Sequence, residues 1–157
     1  QNCNSTPFLA TNGNDNPDKS FYPQNLGIEL FQTNRALRVH ETFGSDKSIT
    51  REEFYQYKFD TKYSRQSVMA VNLKKFLTEA SSKDPDINKA LELLRNWDLD
   101  TDSSSTATHL AIRAIRPQFN PAKYEYDAEK IMDRLKKAVS WLNENFGRFS
   151  YKLNQRG

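Results

Sequence analysis

The chain has 157 residues, of which 36% are hydrophobic and 27% are charged, and its mean hydropathy is −0.86. This length suits one domain with one core, and ten Phe, seven Tyr and two Trp argue against intrinsic disorder. The net charge of +3 comes from Lys and Arg interspersed with Asp and Glu, and the lack of a basic block disfavours nucleic-acid binding. No apolar run reaches the length of about 18 residues that a membrane span requires, so no membrane-spanning segment is predicted.

Residues 1–25 hold most of the turn-forming pairs, which are Asn12-Gly13, Asn16-Pro17 and Tyr22-Pro23. The opening run from Gln1 to Pro7 is crowded with amides and hydroxyls, which compete for backbone hydrogen bonds and do not propagate a helix. A polar N-terminal loop is therefore predicted. A buried amide in this loop could donate to an oxyanion, while a surface turn is the alternative.

Two short helices are predicted after the loop. The first runs from Leu26 or Thr33 to Phe43 and is expected to stop at Gly44, because glycine is favoured just after a helix. The second begins at Thr50, which can form a capping box with Glu53. Its aromatic residues are expected to pack in a core, with a wall for an apolar ligand as the alternative; they are Phe54, Tyr55, Tyr57 and Phe59.

Helical periodicity is clearest between residues 64 and 146. One helix is predicted over residues 64–80, and a second begins with Asp84 as the cap and Pro85 as its first residue. The short connection between them predicts antiparallel packing. A third helix is predicted over residues 104–116 with Asp102 or Ser103 as its cap, and a fourth over residues 127–146, ending at Gly147.

The predicted fold is therefore mainly α, with about five helices packed as an irregular bundle in a single helical domain or fragment over residues 1–157. Its parts are an N-terminal loop at 1–25, a helical region at 26–147 and an extension at 148–157. Alternating apolar residues in the extension make one short C-terminal strand a candidate; they are Phe149, Tyr151 and Leu153.

Alternating aspartates at residues 98–102 are similar to the start of a calcium-binding EF-hand loop. The sixth position of that loop is Ser103 instead of Gly, and the twelfth is His109 instead of Glu. His40 and His109 also lack partners at zinc-ligand spacing. The sequence therefore predicts no metal site and no cofactor.

Four segments carry a resemblance to a known family. They are Asn-Cys-Asn-Ser-Thr-Pro at residues 2–7 with the Asn-Arg-x-x-Arg helix start at 34–38, Leu-Leu-Arg-Asn-Trp-Asp at 93–98, and Trp-Leu-Asn-Glu-Asn-Phe-Gly at 141–147. Together they resemble the β-chain of penicillin-acylase-type N-terminal-nucleophile hydrolases, over most of the chain. The resemblance implies that Asn4 supplies a side-chain oxyanion donor and that Arg35, in preference to Arg38, orients the site.

The chain departs from this family in two ways. The family's nucleophile is a Ser at the N-terminus of the β-chain, with its own α-amine as the base, whereas Gln1 has no hydroxyl or thiol. The strand-rich segments of the layered αββα core are also missing. The chain is therefore expected to be an internal β-chain fragment, inactive alone, an expectation that the missing initiator Met and signal peptide also favour.

The predicted function is the helical portion of an N-acyl amidohydrolase whose nucleophile lies outside this chain. Its partners would be an N-acyl small-molecule substrate and the remaining α- and β-chain segments of the same precursor. The resemblance alone implies a periplasmic or secreted protein. The alternative is a non-catalytic helical protein-interaction domain.

Overall fold

A computed structural model of the chain describes residue 3, residues 5–118 and residues 120–150. Within these residues it contains six α-helices and no β-sheet, which confirms the predicted mainly helical fold. The only strand-like pairing found there is an isolated antiparallel bridge between Lys62 and Asp100. The helices are α1 (Asn34–Glu41), α2 (Arg51–Lys58), α3 (Val68–Glu79), α4 (Pro85–Arg95), α5 (Thr108–Ile115) and α6 (Ala128–Phe146).

Helices α3 to α6 surround one hydrophobic core, and α5 and α6 form its largest helix–helix contact. Each of these helices buries a stripe of residues spaced three or four apart, which places them on one helical face. The predicted contact between α3 and α4 is present. The largest fully buried side chains are Phe76, Met69, Leu91, Leu94, Leu110, Ile115, Ile131, Leu135 and Leu142.

Helix α4 begins where the sequence predicts, and helix α6 begins and ends where it predicts. The Asp84 carboxylate accepts a hydrogen bond from the backbone N–H of Asp86 at 2.9 Å, and Asp127 caps α6 through the N–H of Lys130 at 3.0 Å. Gly147 follows α6 with a φ of 68°, the left-handed conformation that glycine adopts without a Cβ penalty. None of the described helices is long and apolar enough to cross a lipid bilayer.

The predicted start of α5 is wrong by four residues. Asp102 caps a turn before the helix instead, since its Oδ1 accepts hydrogen bonds from Ser104 N at 3.0 Å and Ser104 Oγ at 2.8 Å. The helix itself begins at Thr108, whose hydroxyl donates to the Asp100 carbonyl at 3.0 Å, and Ala107 offers no side-chain cap. The local turn chemistry of Asp102 therefore prevails over helix propensity here.

The predicted end of α1 is also wrong, because the helix ends at Glu41 and Gly44 does not adopt a left-handed conformation. A Cβ at Gly44 would lie 2.4 Å from Asn12 Nδ2 and 2.7 Å from the His40 carbonyl oxygen. The Asn12 side chain could move aside, but the His40 backbone could not, so the close approach of the His40 carbonyl favours glycine at this position.

The prediction that the α2 aromatic residues pack in a core is wrong. Helix α2 buries no residue, and the side chains of Phe54, Tyr55 and Phe59 are 46%, 46% and 67% exposed. They contact one another and Phe43 instead, with the ring centroids of Phe43 and Tyr57 5.2 Å apart. Because these positions are spread around the helix, they cannot all face one core.

One further expectation lies mostly beyond the structure. Tyr151 and Leu153 of the candidate C-terminal strand fall outside the described residues. Phe149, which is described, is not in a strand and packs against the core.

The core packing predicts different costs for the same substitution at two sites. Leu91→Ala should lower the free energy of unfolding by about 2–5 kcal/mol, because Leu91 is fully buried and its truncation leaves a cavity. Leu30→Ala, at a side chain that is 57% exposed, should change it by less than about 1 kcal/mol. Urea denaturation followed by circular dichroism measures both. If both substitutions lowered the free energy of unfolding equally, the burial of Leu91 in the core would be contradicted.

Candidate functional site

Polar contacts attach the N-terminal segment to α1 and to the two residues before it. The Thr33 hydroxyl donates a hydrogen bond to the Cys3 carbonyl oxygen at 2.6 Å. Further along, Gln32 Nε2 donates to the Leu9 carbonyl at 3.0 Å, and His40 Nε2 lies 3.3 Å from the same oxygen. Residues on both sides of the Ser5–Phe8 stretch are therefore held against the same helix.

The first of these contacts involves Thr33, the N-cap of α1. Thr33 is 8% exposed and has the extended backbone conformation of an N-cap, and its Oγ1 accepts a hydrogen bond from Ala36 N at 3.2 Å. The same hydroxyl therefore both caps the helix and binds the start of the chain. Ala36, in the same turn, is fully buried.

The two residues predicted for catalysis stand differently in the structure. Arg35 lies in the first turn of α1 and its side chain is exposed. Asn4 lies outside the described residues, but the residues on either side of it, Cys3 and Ser5, are described and half-buried. The contact between Cys3 and Thr33 thus brings the segment that flanks Asn4 to the helical turn that carries Arg35.

Arg38 forms an ion-pair network instead of facing an open site. Its Nε and Nη2 donate to the two carboxylate oxygens of Asp60 at 2.8 and 2.7 Å, and its Nη1 donates to Glu41 at 2.7 Å. The Asp60 hydrogen bonds, followed by those to Glu41, raise the pKa of Arg38 further above its already high value. Arg38 therefore connects α1 to the segment after α2.

Ser64 attaches α1 to the helical core at a second point. Its backbone N–H donates to the Asn34 side-chain oxygen at 2.8 Å, and its hydroxyl donates to Glu41 at 2.6 Å. Ser64 is fully buried, three residues before the N-cap of α3. Both ends of α1 are therefore held by one residue.

Sequence reasoning missed the residues of this network other than Arg38. Asn34 was visible only as part of the Asn-Arg-x-x-Arg pattern, without a partner. Asp60 and Ser64 lie 22 and 23 residues beyond Arg38 and Glu41, their partners in the network, so no local pattern could connect them.

An open groove lies beside the N-terminal loop and has a volume of about 790 Å³. Phe8 and Tyr22 pack together on its wall with ring centroids 5.4 Å apart, and Ile28 and Leu30 extend its apolar surface. Asp18 and Lys19 add polar groups. An apolar chain with one polar end would suit such a lining.

The aspartates at residues 98–102 already have partners within the protein. Lys62 Nζ lies 2.8 Å from an Asp98 oxygen and 3.8 Å from an Asp100 oxygen, and the Lys62 hydrogen bond lowers the pKa of Asp98. Asp102 binds Ser104, as described above. Over the described part of the chain, no group of three or more His, Cys, Asp or Glu residues could hold a metal ion.

Comparison with known families places these features in context. A model of the penicillin amidase family matches residues 2–153, which is nearly the whole chain. The chain belongs to the penicillin amidase family. Membership implies hydrolase activity for the full protein. No curated protein sequence matches the chain significantly.

The matched region of this penicillin amidase family chain includes both the N-terminal segment with Asn4 and all six helices. The polar attachment of α1 and the four-helix core are thus parts of one family unit.

The Arg38 network yields a stability prediction. Asp60→Asn should lower the free energy of unfolding by about 1–3 kcal/mol, because it removes a carboxylate that accepts two charged hydrogen bonds at a site where both side chains are about four-fifths shielded. Asp98→Asn is the matched control, since Asp98 pairs with Lys62 where the side chains are 61% and 40% exposed. It should cost less than about 1 kcal/mol.

Thermal or urea unfolding of the two variants tests this difference. If Asp98→Asn lowered the free energy of unfolding more than Asp60→Asn, the pair between Arg38 and Asp60 would not hold α1 in place.

Proposed function

We propose that the intact protein to which this chain belongs hydrolyses an amide bond in an N-acyl small molecule, through an acyl-enzyme intermediate. The family match supports the reaction class. The observation that supports a role for this chain is the contact between Cys3 and Thr33, which joins the segment flanking Asn4 to the turn carrying Arg35.

In this proposal Asn4 donates its side-chain N–H to the oxyanion of the tetrahedral intermediate. The donor binds the developing negative charge more strongly than it binds the neutral carbonyl of the substrate, so its effect falls on the transition state. Arg35, exposed at the start of α1, orients the site through its charge and its fixed set of donors. These two assignments rest on the resemblance of residues 2–7 and 34–38 to the family.

The nucleophile, in this proposal, is supplied from outside this chain. This assignment rests on the family resemblance, since the family uses an N-terminal Ser whose own amine acts as the base. The remaining α- and β-chain segments of the precursor are the partners that would complete the site. A periplasmic or secreted location follows from the same resemblance.

The groove beside the N-terminal loop is the best candidate in this chain for contact with the acyl group. Its apolar wall of Phe8, Tyr22, Ile28 and Leu30 begins four residues after Asn4 in the sequence. An acyl chain lying there would be close to the segment that supplies the oxyanion donor.

A non-catalytic interaction domain is the second candidate, and the exposed aromatic residues of α2 favour it. Phe54, Tyr55 and Phe59 form an apolar surface that typically marks a contact with another polypeptide. The residues encoded before Gln1 discriminate between the two functions. A processed β-chain that opens with Ser, Thr or Cys supports the hydrolase, whereas an unrelated domain supports the interaction module.

The proposal predicts that the purified 157-residue chain hydrolyses no N-acyl substrate. Without the N-terminal nucleophile, the amine-assisted attack on the carbonyl cannot begin. Assays with a series of N-acyl p-nitroanilides measure this. Turnover that copurifies with the chain and is proportional to its concentration would show that a nucleophile lies within it.

The proposal also predicts the kinetics of an oxyanion variant in the intact enzyme. Asn4→Ala should lower kcat by about a hundredfold or more, with KM and the melting temperature nearly unchanged. Asn145→Ala is the control, because Asn145 also donates from its side-chain amide, but to the Trp141 carbonyl on the surface of α6. It should leave kcat unchanged.

Arg35→Ala should behave differently, with effects on both kcat and KM and a reduced yield of processed enzyme, because an orienting arginine sets the geometry of the site. A near-wild-type kcat for Asn4→Ala would make Asn2 the next candidate for the donor. Loss of stability without a specific kinetic effect would favour a structural role for Asn4.

A further inference from the structure

A groove on the helical core combines an apolar floor with positively charged edges. This α3–α4 groove lies between α3, the end of α4 and the segment that follows α4, and it has a volume of about 550 Å³. A volume of this size is typical of a site that holds one small organic molecule. The apolar residues that line it are Ala70, Leu73, Leu77, Leu94, Trp97 and Leu99.

The charges that line the α3–α4 groove all have one sign. Arg65, Lys74 and Arg95 line it and are exposed, and none of the described residues lining it is Asp or Glu. Neither Arg65 nor Lys74 forms an ion pair or a side-chain hydrogen bond within the described part of the chain. The guanidinium of Arg95 donates to the Ala80 carbonyl at 3.0 Å. Two cations at the groove therefore have no partner among the described residues, and an anion could pair with them.

A second groove beside α3 has the opposite charge balance. It lies between α3 and α6 and has a volume of about 400 Å³. Three carboxylates and one lysine line it, which are Glu79, Glu129, Asp133 and Lys136. The cationic lining is therefore a local property of the α3–α4 groove and not of the whole surface of the helical core.

One wall of the α3–α4 groove is held in place by hydrogen bonds. Trp97 Nε1 donates to the Asp100 carbonyl at 2.7 Å, so the polar edge of the indole is already satisfied within the protein. Leu99 has a φ of 69°, a conformation that costs energy for a residue with a Cβ, although it caps no helix. Its carbonyl accepts the Tyr63 N–H at 3.0 Å. Strained residues that the surrounding structure holds in this way cluster at ligand sites.

We propose that the α3–α4 groove binds a small amphiphilic carboxylate, with its apolar body on the leucine and tryptophan floor and its carboxylate against Arg65 and Lys74. Arg65 lies two residues before Ser67, the N-cap of α3. Helical side chains lean toward the N-terminus of their helix, so Lys74 leans toward the same end. This inference goes beyond the proposed hydrolysis and is independent of it, because it uses no residue of that site.

The size of the α3–α4 groove favours a small molecule over an acidic polypeptide. Ten residues line the groove. A stable protein–protein interface uses about 20–30 residues on each side, which is two to three times as many. A single carboxylate on an apolar body matches both the charge and the extent of the lining.

Isothermal titration calorimetry with decanoate, below its micelle concentration, tests the proposal on the intact protein that contains this chain. The dissociation constant should be below about 1 mM, and decyltrimethylammonium, which has the same chain and the opposite charge, should bind at least about tenfold more weakly. Raising NaCl from about 50 mM to about 500 mM should weaken decanoate binding by about threefold, because exposed ion pairs are screened. Equal affinity for the two amphiphiles would overturn the proposal. No binding of decanoate would overturn it as well, and would indicate that another segment covers the groove.

Charge variants locate the bound decanoate. Arg65→Gln and Lys74→Gln should each raise its dissociation constant by about threefold, and together by about tenfold, because each removes one exposed charge. Lys136→Gln is the matched control, since Lys136 lines the second groove, and it should leave the affinity unchanged. A larger effect of Lys19→Gln than of the double variant would place decanoate in the groove beside the N-terminal loop and would overturn the proposal.

Leu99→Gly tests the apolar wall with little risk of misfolding, because glycine adopts a φ of 69° without a Cβ penalty. The dissociation constant for decanoate should rise by about fivefold, since the lost side chain no longer covers the ligand, while the melting temperature changes little. A lower melting temperature with an unchanged dissociation constant would show that Leu99 serves the fold alone, and this result would overturn the proposed apolar contact.

Discussion

The position of α1 depends on a network of shielded polar side chains, and the rest of the N-terminal region depends on α1. Arg38 and Ser64 both donate to Glu41, Asp60 accepts two bonds from Arg38, and Asn34 accepts one from Ser64. Hydrogen bonds are directional and strengthen one another away from water, so this network fixes the orientation of α1 more narrowly than apolar contact alone. Because the N-terminal segment binds α1, its orientation depends on that of the helix.

The chain divides its apolar residues unevenly on either side of Ser64. Among the described residues, all the buried core residues except Ala36 follow Ser64, whereas most of the exposed large hydrophobic side chains precede it. Phe21, for example, is 83% exposed. A large exposed apolar surface is typical of contact with another polypeptide or a ligand. This distribution supports the proposal that the N-terminal region works against further segments of a longer enzyme, on a rigid helical base.

Local patterns were enough to predict most of the helical core. Asp84 and Pro85 specify the start of α4, Asp127 and Gly147 delimit α6, and the apolar stripes of both helices have the period of a buried face. These signals work because a cap and its helix are neighbours in sequence. The family resemblance was also carried by short segments, and it named Asn4 and Arg35 as candidates, whose roles stay predictions.

The sequence by itself determined the helical class, the caps of α4 and α6 and the family of this protein. Only the tertiary structure decided that the α2 aromatic residues are exposed, that the Asn12 side chain approaches Gly44, and that Thr33 binds the Cys3 carbonyl. The physical reason is distance along the chain. Asp60 lies 22 residues from Arg38 and Cys3 lies 30 residues from Thr33, and contacts of that separation leave no periodic or local trace in the sequence.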